Sequence, residues 1–263
     1  MSDLDEISAL ERYGHNLTIL ARQGAFPPLA GQEAIIQRIF EILQRENKAN
    51  PILLDFDQSR RFSIVAEVVR RMAIGEAPAP FVNMQVIALD LEALCSNLSD
   101  DRELRQQRRE QHYTSLWKKL AEPVSSEAEA AEAWWASLKD VPLWPQPEEW
   151  IAPSMVLERL QHMFLAMHHA PGAYLMFIDH FHRLLGGEPR KYPVDASNLL
   201  KPMLARRQIQ LITACTVEQY RLYVERNAAM QRRFQEIVPP EVRQQLEQES
   251  QQRPAELPPQ EEA

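Results

Sequence analysis

The chain has 263 residues, 45% hydrophobic and 25% charged, which is enough to bury a substantial core as one large globular domain. Seven glycines and two cysteines, Cys95 and Cys215, argue against Gly-repeat architectures, a disulfide framework and a four-cysteine metal site. The formal charge of −8 is concentrated in residues 121–152 (net −6) and 241–263 (net −4), so the remainder is near neutral and lacks the basic face of a nucleic-acid binder.

No apolar run of about 18 residues suggests a membrane span. Met1 to Ser8 is acidic and carries no apolar stretch of a secretory signal. A cytoplasmic protein with neither a membrane nor a nucleic-acid partner is expected.

In chain order, residues 5–22 place Ile7, Leu10, Leu17 and Leu20 at helical spacing until Phe26-Pro27-Pro28. Residues 32–46 read as an amphipathic helix with Ile35, Ile36, Ile39 and Phe40 on one face. Pro51 to Leu54 is a short buried-strand candidate, followed by a helix over 62–74. Gln85 to Leu91 is a second strand, and the charged residues 101–120 read as helix. A helix over 154–169 precedes a third strand, Ala173 to Asp179, apolar until its final acid. Ala196 to Ala205 is a helix, Ile209 to Ala214 a fourth strand, and 217–234 a last helix. Alternating strands and helices imply an α/β fold with a parallel sheet covered on both faces.

Residues 121–152 interrupt this rhythm. They are acidic and proline-rich and hold Trp134, Trp135, Trp144 and Trp150. One reading is a solvated insertion whose tryptophans fold back on the body. The other is a partner-binding segment, since tryptophan is enriched in binding hot spots. The Arg-rich stretch 102–109 (RELRQQRR) is interleaved with Glu and Gln and reads as a solvated helix face rather than an RNA contact. The tail 241–263, rich in Glu, Gln and Pro, is expected to be disordered.

An apolar strand ending in Asp179 within a parallel α/β chain has the form of a Walker B strand. Its neighbours give the likeness specificity: LERYGHNLTILA (10–21), FPPLAGQE (26–33), NPILL (50–54), FIDHFH (177–182), DASNLLKPMLAR (195–206), TACTVEQYR (213–221) and AAMQRRF (228–234). In this order and spacing they resemble the first AAA+ module of Clp-type unfoldases and disaggregases, over about residues 9–238 apart from 121–152. The resemblance implies an AAA+ large-subdomain αβα sandwich over residues 1–240 that packs into rings. The chain ends about where the family's small helical lid would begin, so no C-terminal lid subdomain is expected.

Within the resemblance the departures concern chemistry. The family's phosphate loop, GxxxxGK[ST], is collinear with Asp55-Phe56-Asp57-Gln58-Ser59-Arg60-Arg61-Phe62. Glycines that would let backbone amides approach phosphate are gone. Asp55 and Asp57 would repel phosphate, Arg60 precedes the lysine position, and Arg61 replaces the lysine. Phe62 replaces the hydroxyl that would hold Mg²⁺. Walker B keeps Asp179, but His180 stands where the water-activating glutamate would be. His180 and His182 beside Asp179 are not read as a metal site. Thr216 falls on the sensor threonine, and Arg232 and Arg233 fall on the family's arginine-finger pair, which acts in a neighbouring subunit's pocket. The family's pore-loop aromatic is absent from Ser99-Asp100-Asp101-Arg102.

The resemblance and its departures together imply a non-hydrolysing AAA+ pseudo-ATPase that binds, scaffolds or regulates AAA+ subunits, of its own kind or another. No cofactor and no metal are then expected. The alternative is a divergent Clp-type chaperone ATPase that binds ATP and Mg²⁺ through an atypical phosphate loop.

Overall fold

The computed structural model describes residues 9–95, 151–187 and 194–252. The tryptophans at 134, 135, 144 and 150, the Arg-rich stretch 102–109 and the pore-loop-aligned Ser99 to Arg102 lie outside these residues.

Six strands form one sheet: β1 (Gly14–Asn16), β2 (Asn50–Leu54), β3 (Gln85–Leu89), β4 (Tyr174–Ile178), β5 (Leu211–Cys215) and β6 (Phe234–Ile237). Their order is β1-β3-β4-β5-β2-β6. All neighbours are parallel except β1, which pairs antiparallel with β3. The four strands expected from apolar runs are present.

The period of two sends alternate strand residues to opposite faces. Leu53, Leu175, Phe177 and Ile212 join a core with Ile36, Ile39, Val65 and Val69, from the helices Glu33–Leu43 and Gln58–Ile74. Ile52, Leu54, Met176, Ile178 and Leu211 join a second core with Leu160, Phe164 and Leu200, from the helices Pro153–His169 and Ser197–Ala205. The sheet is therefore sandwiched, as in the AAA+ large subdomain.

Three expectations need correction. The helix over 5–22 is broken by β1. A Cβ at Gly14 would collide with the Ile87 side chain of β3 and lie 2.8 Å from the Leu10 carbonyl oxygen, so glycine permits the close approach of β1 to β3. Asn16 then restarts the chain as the helix Leu17–Arg22, its Oδ1 accepting from the Ile19 amide at 3.2 Å. The helix over 217–234 is instead a helical turn at Val217–Gln219, a π-helix at Tyr220–Glu225, a short helix at Ala228–Gln231 and the strand β6. β6 exists because it adds to the free side of β2, Asn50 opposite Phe234. The tail expected as disordered from 241 begins with a helix, Pro240–Gln252. Val242 is fully buried and Leu246, one turn on, packs against the same core.

Because β2, β4, β5 and β6 are parallel, their C-terminal ends share one edge of the sheet and their N-terminal ends share the other. The sequence-expected site residues divide between these two edges.

Candidate functional site

At the C-terminal edge the chain leaves β2 through Asp55-Phe56-Asp57 into the helix Gln58–Ile74. It leaves β4 through Asp179-His180 and β5 through Thr216. The fold thus brings together the phosphate-loop-like, Walker B-like and sensor-like residues, as the resemblance implies.

Side chains of this edge are bound to one another. Asp57 caps the helix, its Oδ1 accepting from the Ser59 amide at 2.8 Å and the Arg60 amide at 3.4 Å. Asp55 is fully buried. Its carboxylate accepts from the Asp57 amide at 2.9 Å and is gripped by both prongs of Arg60, Nε at 2.6 Å and Nη2 at 2.9 Å. Arg61 is 1% exposed. Its Nη1 donates to the Asp55 carbonyl at 2.7 Å, and its Nε donates to Asp179 Oδ1 at 3.1 Å. A single guanidinium therefore ties the end of β2 to the end of β4. Such a buried charge is tolerable because its donors are met by a carbonyl and a carboxylate. Phe62 turns the other way, into the core, with its ring edge-on to Phe26 at 6.2 Å.

Burial works to raise the Asp179 carboxyl, but the Arg61 charge, then His180, and their hydrogen bonds outweigh it and hold the group below the ordinary aspartate range. The His180 backbone is left-handed (φ 52°), and its amide donates to Asp179 Oδ1 at 2.8 Å. Burial pushes its imidazole down to about 4, against the opposing pull of Asp179. The ring is thus neutral near pH 7. Thr216 accepts from the Gln219 amide at 3.3 Å, and its own amide donates to the Gln219 side chain at 3.0 Å, a closed capping box. The thiol of Cys215 is pushed up to about 12 by burial, which removes it as a nucleophile. Among the described residues no group of three His, Cys, Asp or Glu is placed to hold a metal ion.

Arg232 and Arg233 lie at the opposite edge, just before β6. They line a cleft of about 830 Å³ with residues that precede β2, β4 and β5, among them Lys48 and Arg207. Arg233 Nη1 donates to the Ala229 carbonyl at 2.6 Å, its carbonyl accepts from Asn50 at 3.2 Å, and its Nε is buried with no hydrogen-bond partner. Arg232 is exposed. The structure therefore separates this pair from the other candidates by the depth of the sheet.

Sequence reasoning missed three features. Glu67, 1% exposed, accepts from Arg70, Arg71 and the Leu29 amide, which clamps the FPPLAGQE segment to the Gln58–Ile74 helix. The i, i+3 and i, i+4 spacing of Glu67 with Arg70 and Arg71 was the available signal. Tyr220, buried in the π-helix, hydrogen-bonds Glu236 of β6, and nothing in the sequence marks that pair. Lys48 and Arg207, both left-handed at φ 52° and 54°, also carry no sequence signal.

Comparison with known proteins follows the geometry. No family model matches the chain. It is 29% identical over 230 residues to chaperone protein ClpB 1 of Thermosynechococcus vestitus, which covers 88% of this chain and 20% of that protein. It is 27% identical over 234 residues to chaperone protein ClpB of Corynebacterium diphtheriae, covering 89% and 21%. The chain spans about a fifth of the length of these relatives. Among solved structures, the closed state of Hsp104 with ATPγS and FITC casein matches with a TM-score of 0.59 at 25% identity, over 88% of this chain and 31% of that one. The Saccharomyces cerevisiae Hsp104–ADP complex matches with a TM-score of 0.58 at 24% identity, over 92% and 26%. The likeness is to one Clp-type AAA+ module, and the sheet and its covering helices match the large-domain fold of those neighbours.

Proposed function

We propose that this chain, a Clp-type AAA+ module by sequence and fold, does not hydrolyse ATP and acts as a binding or regulatory subunit of an AAA+ assembly. One observation carries the reading. The Arg61 guanidinium sits between the β2 loop and Asp179, where a working module of this family keeps nucleotide phosphates and their cation. The remaining residues do not fit a Mg²⁺–nucleotide either. The helix-opening amides of Ser59 and Arg60 face the Asp57 carboxylate, which a phosphate would meet as a like charge. The place of the metal's hydroxyl ligand is the buried ring of Phe62. Catalysis of phosphoryl transfer is positioning plus charge stabilisation, and each group that would supply it is absent or already engaged.

What the chain retains lies at the other edge, with Arg232 exposed. Arg232 and Arg233 are not needed for a pocket that turns nothing over, yet they stand at the edge that meets a neighbour in the family's rings. In that role they complete the site of a competent AAA+ subunit, where an arginine finger is worth about 10³–10⁵ in rate. The tryptophan-bearing stretch around 134–150 is proposed as a partner-binding element.

The test has two parts. Purified protein is assayed for phosphate release beside Asp179→Asn, and both are expected at background. Turnover that vanishes in Asp179→Asn favours the divergent ATP-binding ATPase instead. The protein is then mixed with a complete Clp-type ATPase from the same source. Wild type is expected to change that enzyme's turnover, and Arg232→Ala/Arg233→Ala is not. Equal turnover with both versions ends the trans-acting role.

A further inference from the structure

The cleft at the N-terminal edge is lined by four cations, Lys48, Arg207, Arg232 and Arg233, against one carboxylate, Glu46. Among the described residues none of the four has a carboxylate within ion-pairing distance. Arg60 and Arg61 of the C-terminal edge, by contrast, are each paired with an aspartate. The cleft is also partly apolar, with Pro80, Pro171 and Tyr174 among its walls. Its floor is pinned: Asn50 holds the Leu211 amide at 2.9 Å and the Arg233 carbonyl at 3.2 Å, and Gln210 donates to the Leu43 carbonyl at 2.6 Å. A pinned, basic, part-apolar cleft suits an acidic peptide that carries aromatic side chains. Carboxylates pair with the rim, and indole rings pack on the apolar wall or beneath a guanidinium.

This chain contains such a peptide. The described residues are charge-balanced, so the net charge of −8 lies outside them. Residues 121–150 alone carry net −6 and four tryptophans. The stretch that contains them leaves the described chain after Cys95 and rejoins it at Ile151, and the Ile151 amide donates to the Cys95 carbonyl at 3.2 Å. Its two ends therefore stand together on the side where β3 finishes, at the C-terminal edge. The basic cleft is at the other edge, roughly 17 Å of strand away at the usual rise for five residues. A second copy placed edge to edge sets one chain's acidic segment at the next chain's cleft.

We propose that residues 121–150 of one copy bind in the Lys48–Arg207–Arg232–Arg233 cleft of a second copy, a head-to-tail contact built on complementary charge and tryptophan burial. The cleft shares Arg232 and Arg233 with the trans-acting role proposed above, so the test reverses other charges and leaves that pair intact, and the two readings fail separately.

Sedimentation of the full chain over a concentration series tests it, with two charge reversals that leave Arg232 and Arg233 untouched. The first is Lys48→Glu/Arg207→Glu and the second is Glu127→Lys/Glu129→Lys/Glu132→Lys. Wild type is expected to self-associate more weakly as salt rises. Each reversed protein alone is expected to associate about tenfold or more weakly, because like charges then meet. An equimolar mixture of the two is expected to recover association, since each carries the complement of the other, and that recovery excludes misfolding as the cause. A wild type that stays monomeric at every concentration overturns the proposal. So does association indifferent to either reversal, or a mixture that does not recover.

Discussion

The two edges of one sheet have been treated differently. At the C-terminal edge every charged group of the loop after β2 is spent on another: Arg60 on Asp55, Arg61 on Asp179, Asp57 on the helix amides. At the N-terminal edge Arg232 is exposed, and among the described residues neither it nor the cations around it has a carboxylate within ion-pairing distance. A site that pairs its own charges is built to stand without a ligand. An edge that leaves its charges unpaired is built to meet something else. This contrast, more than any single missing motif, favours a subunit that acts on neighbours.

Stability should divide along the same line. Arg61→Ala leaves Asp179 and the Asp55 carbonyl without their donor, and breaking a buried ion pair from one side typically costs about 3–5 kcal/mol. Arg232→Ala removes an exposed side chain and should stay within about 0.5 kcal/mol. Urea midpoints of the two variants measure the difference. Comparable losses would mean that the N-terminal edge is as structural as the other.

Phe62→Thr should cost about 3 kcal/mol, through the lost ring and its contact with Phe26. It restores a hydroxyl, and Arg61→Lys restores the ammonium. The double variant is nonetheless expected not to bind a fluorescent ATP analogue, because the loop still lacks glycine and still places Asp57 on the amides. Tight binding by the double variant would show that the backbone of the loop had stayed competent.

How much of this was legible in the sequence follows from its physics. The four buried strands were readable because each is a continuous apolar run bounded by a polar residue. The departure from the GxxxxGK[ST] pattern was readable because Asp55, Arg61 and Phe62 stand at the positions collinear with its first glycine, its lysine and its hydroxyl residue. The pairing of Arg60 or Arg61 with an aspartate was foreseeable in kind, since two arginines and three acids converge there. Which arginine takes which acid was not, because that depends on helix phase: Arg60 faces back to Asp55 while Arg61 crosses to β4. β6 was hidden because its four residues pattern as a helix end until β2 is seen to need a neighbour. The basic cleft was hidden because its cations come from three segments far apart in the chain.

A smaller effect separates the edges by pH. In the folded chain His180 titrates near 4, against an ordinary histidine near 6.5. As pH falls below 6.5 the unfolded chain takes up a proton that the folded chain refuses until about 4, so stability should fall across that window and level below it. The charged groups around the ring are Asp179, which favours the proton, and Arg183, Arg61 and His182, which oppose it. The loss attributable to this one residue is about 3 kcal/mol. His180→Asn, which tolerates a left-handed backbone, should flatten the slope between pH 6.5 and 4. An unchanged slope would assign the acid sensitivity elsewhere.

The smallest expected effect concerns the carboxylate that caps the Gln58–Ile74 helix. Asp57 is an exposed N-cap whose carboxylate takes the Ser59 and Arg60 amides. Removing a capping carboxylate costs about 1 kcal/mol, so Asp57→Ala should lower the urea midpoint slightly and leave the fold intact. If the carboxylate merely caps, that is the whole effect. If it also stands in for a lost anion, the variant exposes two amides at the positive end of a 17-residue helix, and phosphate added to the solution has somewhere to go. Asp55 still lies beside those amides, with its charge matched by Arg60, so the place is no longer electrostatically hostile once Asp57 is gone. The expected outcome is that Asp57→Ala regains part of its lost stability in millimolar phosphate while Asp57→Asn, which keeps a capping oxygen, does not. Equal responses of the two variants to phosphate would reduce Asp57 to an ordinary cap.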